Sequence, residues 1–336
     1  MRFPSMLLVV LATALALAGP ARSDTVRLEP SVHRLGEWVD GMVSDGKSIW
    51  VAEFGQRTLA QLNATYGVAR RLNLPGIPDK IDIGRDGALY LLLEVEDRIQ
   101  VWQRAPASSG GRPIVTLEPK TCAPALAAGG GPFVWVLTGC GSDSDAALFK
   151  VDTRTRGDTG TMPRVPLGAG GGGVLMVRQG HVWAAMDRLS VIDETTLAVR
   201  TSDIHGKLGP RPLFTALAAD ADTVYAGVAS ETARLVVAID PATLQETARA
   251  PVDQMINAIV ADAQHVVALG SEGRIFVLAP RTLALERVID LTVPKVEPRA
   301  AMIRNGDLLL TDFRLENANE RGALLVLHGW QPPPRR

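Results

Sequence analysis

The chain has 336 residues, with 35 basic and 36 acidic side chains and 46% hydrophobic residues. Because the charges nearly cancel, the composition gives no basic surface that would attract nucleic acid or anionic lipid, and we expect no nucleic-acid partner. The length is sufficient for a large buried core in one domain or two.

The first 23 residues have the organisation of a secretory signal peptide. Arg2 precedes an apolar stretch over residues 6–18, and the small residues Ala21 and Ser23 come before an expected cleavage at Asp24. The stretch is short for a bilayer-spanning helix, and no cysteine follows it to take a lipid anchor. We therefore expect a periplasmic or secreted protein with no membrane insertion after signal removal; a retained amphipathic anchor is the alternative.

A short apolar segment with strand character recurs seven times, at intervals of 40 to 48 residues. A repeat of this length is typical of a β-propeller, in which each repeat forms one four-stranded blade. We therefore predict an all-β fold, a single seven-bladed β-propeller over residues 24–330, followed by a disordered tail over residues 331–336. The repeats align on Trp50, Tyr90, Trp135, Trp183, Tyr225, Val267 and Leu309.

The seventh repeat lacks a fourth strand, because three prolines follow His328 within a few residues and proline cannot continue a ladder. A suitable strand is present at the other end of the chain. Residues 31–36 (SVHRLG) are similar to residues 69–74 (ARRLNL), the fourth strand of the first repeat. We predict that the N-terminal strand joins the last blade, which closes the ring and removes an exposed sheet edge.

Cys122 and Cys140 lie in the third repeat, on either side of the glycine-rich turn around residue 131. Residues equidistant from the turn of an antiparallel hairpin face each other at a separation that suits a disulfide. We predict a disulfide between them, as expected in an oxidising compartment. A redox or metal-binding pair is the alternative, although the spacing is not C-x-x-C and no histidine is nearby.

The sequence contains no common catalytic motif: no G-x-S-x-G, H-E-x-x-H, C-x-x-C-H or EF-hand loop. The five histidines are scattered over the repeats, which is typical of turn and surface positions. The glycine run at residues 168–173 is followed by no Gly-Lys-Ser/Thr, so it does not match a phosphate-binding loop. These absences leave open whether the protein is an enzyme.

The candidate site follows from propeller geometry. The start of each first strand and the end of each second strand meet at one end of the central channel, here called the upper mouth. Polar residues at these positions concentrate in repeats seven, one and two, which become neighbours when the ring closes. We predict that a small molecule or a protein partner binds at the upper mouth, at Asp40, Glu53, Lys80, Glu94, Asn257, Arg299 and Asp312.

Two chemistries fit the acids of this set. Glu53 and Asp312 could hold a hard cation such as Ca²⁺ or Mg²⁺ through oxygen ligands. Alternatively, Asp40 or Glu53 pairs with Lys80 or Arg299 in a structural salt bridge across the channel.

Two repeats share a further pattern at the predicted site. Glu53 is followed by Phe54 and Asp312 by Phe313, so two adjacent blades carry an acid and then an aromatic residue at matched positions. The long polar loop over residues 313–322 follows the second pair, and it could act as a lid or as a partner contact.

Residues 45–92 resemble the repeat of streptogramin lyase-like and NHL/YVTN-type propellers, in which a D-G turn leads into an aromatic strand, an acid, a third strand and a closing strand. The resemblance extends over residues 38–103 and is schematic in the other repeats. Members of these families include periplasmic binding or scaffold proteins, an antibiotic-linearising lyase and calcium-dependent lactonases, so the resemblance implies one of these functions. The lyase would need a histidine at the mouth, and no histidine occupies those positions. A lactonase-like metal site would need a Glu, two Asn or Asp and a further Asp, and Glu53, Asn257 and Asp312 could be three of these four ligands.

Together these observations predict a periplasmic or secreted binding or scaffold protein that presents its channel mouth to a ligand or protein partner. The alternative is a metal-dependent lyase or lactone hydrolase of the streptogramin lyase or gluconolactonase type, acting at the same mouth with Ca²⁺ or Mg²⁺.

Overall fold

The computed structural model describes residues 24–105, 110–117, 122–123, 125–139, 145–155, 157–158, 162–169, 173–293, 296–313 and 322–332. The predicted signal peptide, Cys140, most of the loop over residues 313–322 and the end of the predicted tail lie outside these residues. Within them, no helix is long and apolar enough to cross a membrane.

The described chain is almost entirely β-structure, with one 3-10 helix over Asp203–Lys207. The strands of the first half are β1 Asp24–Leu28, β2 Ser31–Arg34, β3 Val39–Ser44, β4 Ile49–Glu53, β5 Thr58–Leu62, β6 Val68–Asn73, β7 Ile77–Ile83, β8 Leu89–Val95, β9 Arg98–Arg104, β10 Arg112–Thr116, β11 Ala125–Ala128, β12 Phe133–Thr138, β13 Asp145–Asp152, β14 Gly157–Asp158 and β15 Arg164–Ala169.

The strands of the second half are β16 Val174–Arg178, β17 His181–Ala185, β18 Leu189–Asp193, β19 Val199–Thr201, β20 Leu213–Ala219, β21 Val224–Ala229, β22 Arg234–Ile239, β23 Glu246–Pro251, β24 Ile256–Ala261, β25 Val266–Gly270, β26 Arg274–Leu278, β27 Leu285–Leu291, β28 Pro298–Arg304, β29 Asp307–Asp312 and β30 Ala323–Leu327.

Seven sheets, each with four antiparallel strands, form seven blades, so the predicted fold class is confirmed. Blades 1 to 6 are β3–β6, β7–β10, β11–β13 with β15, β16–β19, β20–β23 and β24–β27, and blade 7 is β28–β30 with β2. The first strand of each blade contacts the first strand of the next blade all the way round, and β28 contacts β3. The first strands therefore form a closed ring around the central channel.

The core lies between the blades. Seven clusters of buried apolar side chains each join two neighbouring blades, and the cluster between blades 1 and 2 contains Trp50, Leu59 and Leu89. The repeated apolar segment is the second strand of each blade, which is buried on both faces. This burial explains why the segment is apolar at consecutive positions and does not alternate with polar residues.

The ring is closed as predicted. The N-terminal strand β2 pairs antiparallel with β30, with Ser31 opposite Val326 and Arg34 opposite Ala323. The Leu35 amide continues the contact by donating to the Gly322 carbonyl at 3.2 Å. A Cβ atom at Gly322 would collide with the Gly36 carbonyl oxygen, so this junction requires glycine at Gly322. Blade 7 is thereby built from both ends of the chain.

Two blades have a fifth strand that the repeat pattern did not predict. The strand β1 pairs in parallel with β27 of blade 6, and the short β14 pairs in parallel with β10 of blade 2. The N-terminal segment therefore joins blade 6 through β1 and blade 7 through β2. Neither strand recurs in the other blades, so the sequence repeat does not predict them.

Cys122 lies just before the first strand of blade 3, the hairpin in which the disulfide is predicted. In the β11–β12 ladder Ala125 lies opposite Leu137, and the Gly139 amide donates to the Cys122 carbonyl at 2.9 Å. Because Cys140 lies outside the described residues, the disulfide stays a prediction.

Deleting residues 24–36 removes both β1 and β2, and we expect it to lower the melting temperature by roughly 5–10 °C or more, since it opens the ring and exposes the edge of β30. Deleting residues 24–29 removes only the added strand β1 and serves as the control, with a smaller expected decrease. Thermal unfolding followed by circular dichroism measures both. An unchanged melting temperature in the longer deletion would contradict this account of ring closure.

Candidate functional site

A cavity of about 530 Å³ lies at the upper mouth, where the first strands begin. The first strands of blades 1, 2, 4, 5, 6 and 7, or the residues just before them, form its walls. The lining residues are Asp40, Gly41, Met42, Lys80, Ile81, Gly173, Val174, Leu213, Phe214, Thr215, Met255, Asn257, Arg299 and Ala300.

Lys80 occupies one side of the cavity between two carboxylates. A register shift between Pro78 and Lys80 interrupts the pairing of β7 with β8 at this point. The Lys80 ammonium donates to Asp40 Oδ2 at 3.0 Å, to Asp79 Oδ1 at 2.9 Å and to the Asp79 carbonyl at 3.2 Å. Burial alone would lower the pKa of Lys80, but the charges of Asp40 and Asp79 outweigh it and raise the pKa above its ordinary value. Lys80 is therefore a fixed cation that joins blades 1 and 2.

Arg299 is an exposed cation on the blade 7 side of the cavity. Its Nη2 donates to Glu297 Oε1 at 2.5 Å, and the guanidinium carbon lies 4.7 Å from the centre of the Phe313 ring. A register shift between Pro298 and Ala301 interrupts the pairing of β28 with β29 at Arg299, and a similar shift occurs at Lys80. A stacked and ion-paired guanidinium keeps its outer edge available to a ligand.

The opposite side of the cavity is apolar. Leu213 is 39% exposed and Met255 is 37% exposed, and both line the cavity together with the buried Phe214. Only Val32 and Val199 among the other large apolar side chains of the described chain are comparably exposed, and neither lines this cavity. Exposed apolar side chains in a concave site are typical of ligand contacts.

Two neutral polar groups lie between the charged and apolar sides. Asn257 donates through Nδ2 to the Pro298 carbonyl at 3.1 Å and so bridges blades 6 and 7. The Thr215 hydroxyl has no hydrogen-bond partner in the described part of the chain. The cavity therefore has a charged wall, an apolar wall and a few neutral polar groups.

Of the seven residues predicted from the sequence, the structure brings Asp40, Lys80, Asn257 and Arg299 together on the cavity. Of the two alternatives for the acids, the salt bridge is present between Asp40 and Lys80. The exposed Glu94 lies at the end of β8 and is not among the lining residues.

Glu53 is fully buried within blade 1 and is not among the lining residues. Its carboxylate accepts hydrogen bonds from the Gly36 amide at 2.7 Å, from Thr58 Oγ1 at 2.5 Å and from Arg71 Nε at 2.9 Å and Nη2 at 3.1 Å. Arg71, on the outermost strand of the blade, is thus its ionic partner, which the sequence pattern did not suggest. Glu53 fixes the chain where it passes from the N-terminal strand into blade 1.

Asp312 is also fully buried, and its Oδ1 accepts a hydrogen bond from the Glu297 amide at 2.8 Å. Among the described residues, no group of three His, Cys, Asp or Glu side chains lies close enough to hold a metal ion. A Ca²⁺ or Mg²⁺ site built on Glu53 and Asp312 would need a further ligand, and it stays a prediction.

The aromatic residues that follow these two acids meet at Trp38. The Trp38 ring centre lies 5.8 Å from that of Phe54 and 6.3 Å from that of Phe313, and the Phe54 amide donates to the Trp38 carbonyl at 3.0 Å. Trp38 has a φ of 53°, a left-handed conformation that is uncommon for a bulky residue. The acid–aromatic pattern of two blades thus forms one aromatic cluster, and Trp38 itself had no signal in the repeat.

A second cavity of about 310 Å³ lies at the other end of the channel, where the first strands end. Asp82, two residues beyond Lys80 on β7, lines it and accepts hydrogen bonds from the Ala128 and Ile83 amides, both at 2.7 Å. Burial raises the pKa of Asp82 in spite of these two hydrogen bonds. This partly buried acid, which joins blades 2 and 3, was not predicted from the sequence.

Because the folded-state pKa of Asp82 is raised, its contribution to stability is present at low pH and is lost as the pH rises through that pKa. We expect the free energy of unfolding of wild type relative to Asp82→Asn to fall across that pH range, as measured by urea denaturation. Asp240→Asn is the control with the opposite sign, since amide hydrogen bonds from Ala242 and Thr243 lower the pKa of Asp240. If the free energy of unfolding of wild type relative to Asp82→Asn instead rises with pH, burial does not raise the pKa of Asp82.

No protein-family model matches the sequence, and a search of curated proteins finds no match. Solved structures match over most of the chain. A streptogramin B lyase structure has a TM-score of 0.71 at 10% identity, covering 90% of this chain and 98% of that one. The Pan2 WD40 domain of Neurospora crassa has a TM-score of 0.62 at 11% identity, covering 88% and 90%. BamB from Moraxella catarrhalis has a TM-score of 0.51 at 15% identity, covering 89% and 85%.

At these identities the likeness concerns the fold alone, and it supports the propeller that the repeat predicted. One of these structures is named as a lyase, another as a WD40 domain and another as BamB, so the shared fold does not select one activity. The function must therefore be argued from the residues of the cavity.

Proposed function

We propose that the protein is a periplasmic or secreted binding protein whose ligand occupies the upper-mouth cavity. The observation that carries this proposal is the division of one cavity into an apolar wall, with Leu213 and Met255, and a charged wall, with Asp40, Lys80 and Arg299. Its volume of about 530 Å³ suits a small molecule or a short peptide segment.

The chemistry of the two walls indicates an amphiphilic ligand. Leu213 and Met255 would bury an apolar group, and each fully buried side chain of this size contributes about 1.5–3 kcal/mol. The opposite wall offers charges of both signs together with the Asn257 amide, so the polar end of the ligand needs both donors and acceptors. Since Lys80 and Arg299 already have carboxylate partners, a net charge on the ligand is not required.

We expect an amphiphilic fluorescent probe, 1-anilinonaphthalene-8-sulfonate, to bind the native protein with an increase in its emission. Leu213→Ser and Met255→Ser should each weaken its affinity by roughly tenfold, because the apolar contact is lost. Val199→Ser is the matched control, since Val199 is 44% exposed but lies on an outer strand, and it should leave the affinity unchanged. A probe that does not bind, or whose affinity falls equally in all three variants, would contradict a ligand site at this cavity.

The metal-dependent lyase or lactone hydrolase remains the competing hypothesis, and it differs in its response to cations. A binding protein without a metal should have the same melting temperature with and without Ca²⁺ or Mg²⁺. A cation-dependent increase that disappears in Asp312→Ala and persists in the exposed-turn variant Asp45→Ala would favour the enzyme, because a ligand that binds only the folded state stabilises it.

A further inference from the structure

Arg104, the last residue of β9, is a buried cation far from the upper mouth. Its side chain is only 4% exposed, and its Nε and Nη1 atoms have no hydrogen-bond partner in the described part of the chain. The guanidinium carbon lies 4.8 Å from the ring centre of Trp50, which is itself buried between blades 1 and 2. Stacking on an indole offsets some of the cost of burying the charge, but it leaves these donors unused.

A second arginine contacts the same ring. The Arg70 guanidinium carbon lies 5.5 Å from the Trp50 ring centre, and Arg70 Nε donates to Gln61 Oε1 at 2.6 Å. Because Trp50 pairs with Gln61 and Gln61 pairs with Arg70, the three side chains share one face of blade 1, and Arg104 approaches from blade 2.

This pair of guanidinium groups has no anionic partner within the described residues, where neither Arg70 nor Arg104 forms a salt bridge. The following segment, residues 105–111, contains no acid. Burial, and then the nearby charge of Arg70, lower the pKa of Arg104 below its ordinary value. Two like charges on one indole, with free donors and no carboxylate, are expected to be destabilising unless an anion is bound.

We propose that Arg104 and Arg70 form an anion site between blades 1 and 2 that binds a small oxyanion such as phosphate or sulfate. A guanidinium fork matches the oxygens of such an anion and can donate two parallel hydrogen bonds to it. Bound there, the anion would use the free donors of Arg104 and neutralise the repulsion between the two arginines. The site lies at the end of the blades opposite the upper mouth, because Arg104 pairs with Leu89 at the start of β8.

The test is thermal unfolding at neutral pH in about 10 mM phosphate and in sodium chloride of equal ionic strength. Phosphate should raise the melting temperature of the wild type by roughly 2–4 °C more than chloride does. Arg104→Met keeps an apolar side chain on Trp50 and should abolish this difference. Arg98→Met is the matched control on the same strand, since Arg98 is exposed, and it should retain the difference.

The stability of Arg104→Met itself adds a second criterion. In chloride, its melting temperature should equal or exceed that of the wild type, because an uncompensated buried charge has been removed. In phosphate, the wild type should be the more stable of the two. The proposal is overturned if phosphate and chloride act alike on the wild type, if Arg104→Met retains the phosphate effect, or if this variant is less stable than wild type in both salts.

Discussion

The pairing of β2 with β30 is the contact on which the rest of the molecule depends. Each blade buries its faces only against its neighbours, and seven apolar clusters fill the seven interfaces. Without the N-terminal strand, blade 7 would lack its outer strand and the edge of β30 would be exposed. Closure also makes blade 7 a neighbour of blade 1, which brings Arg299 and Asp40 to one cavity although they are 259 positions apart in the chain.

The upper mouth is chemically asymmetric because equivalent positions in the seven blades carry different residues. The same place at the start of each first strand holds an acid in blade 1, lysine in blade 2 and arginine in blade 7, whereas blades 4 and 5 provide glycine and threonine there. A symmetric scaffold thus carries an asymmetric site. The salt bridge between Asp40 and Lys80 fixes the charged wall, and Leu213 and Met255 are left exposed on the other. This asymmetry favours an amphiphilic ligand over a ligand of uniform polarity.

Three of the buried or partly buried charged side chains in the described chain have different surroundings, and we assign them different roles. Glu53 is completely hydrogen-bonded and ion-paired with Arg71, so its role is to hold the N-terminal connection in place. Asp82 accepts two amide hydrogen bonds, and the one from Ala128 joins blade 2 to the adjacent blade 3. Arg104 stacks on Trp50, but its Nε and Nη1 have no hydrogen-bond partner among the described residues, and this is the reason to infer a ligand there.

The sequence by itself determined the seven-bladed ring, its closure by the N-terminal strand and four residues that line the cavity. It could do so because a blade is a repeating unit, so its strand order and its mouth positions recur at a fixed spacing. The tertiary structure alone decided the environment of each side chain. Glu53 pairs with Arg71 inside blade 1, and Trp38 contacts the aromatic residues of two blades. Arg104 is buried and Asp82 is partly buried. These outcomes depend on side-chain contacts within and between blades, and such contacts do not repeat along the chain.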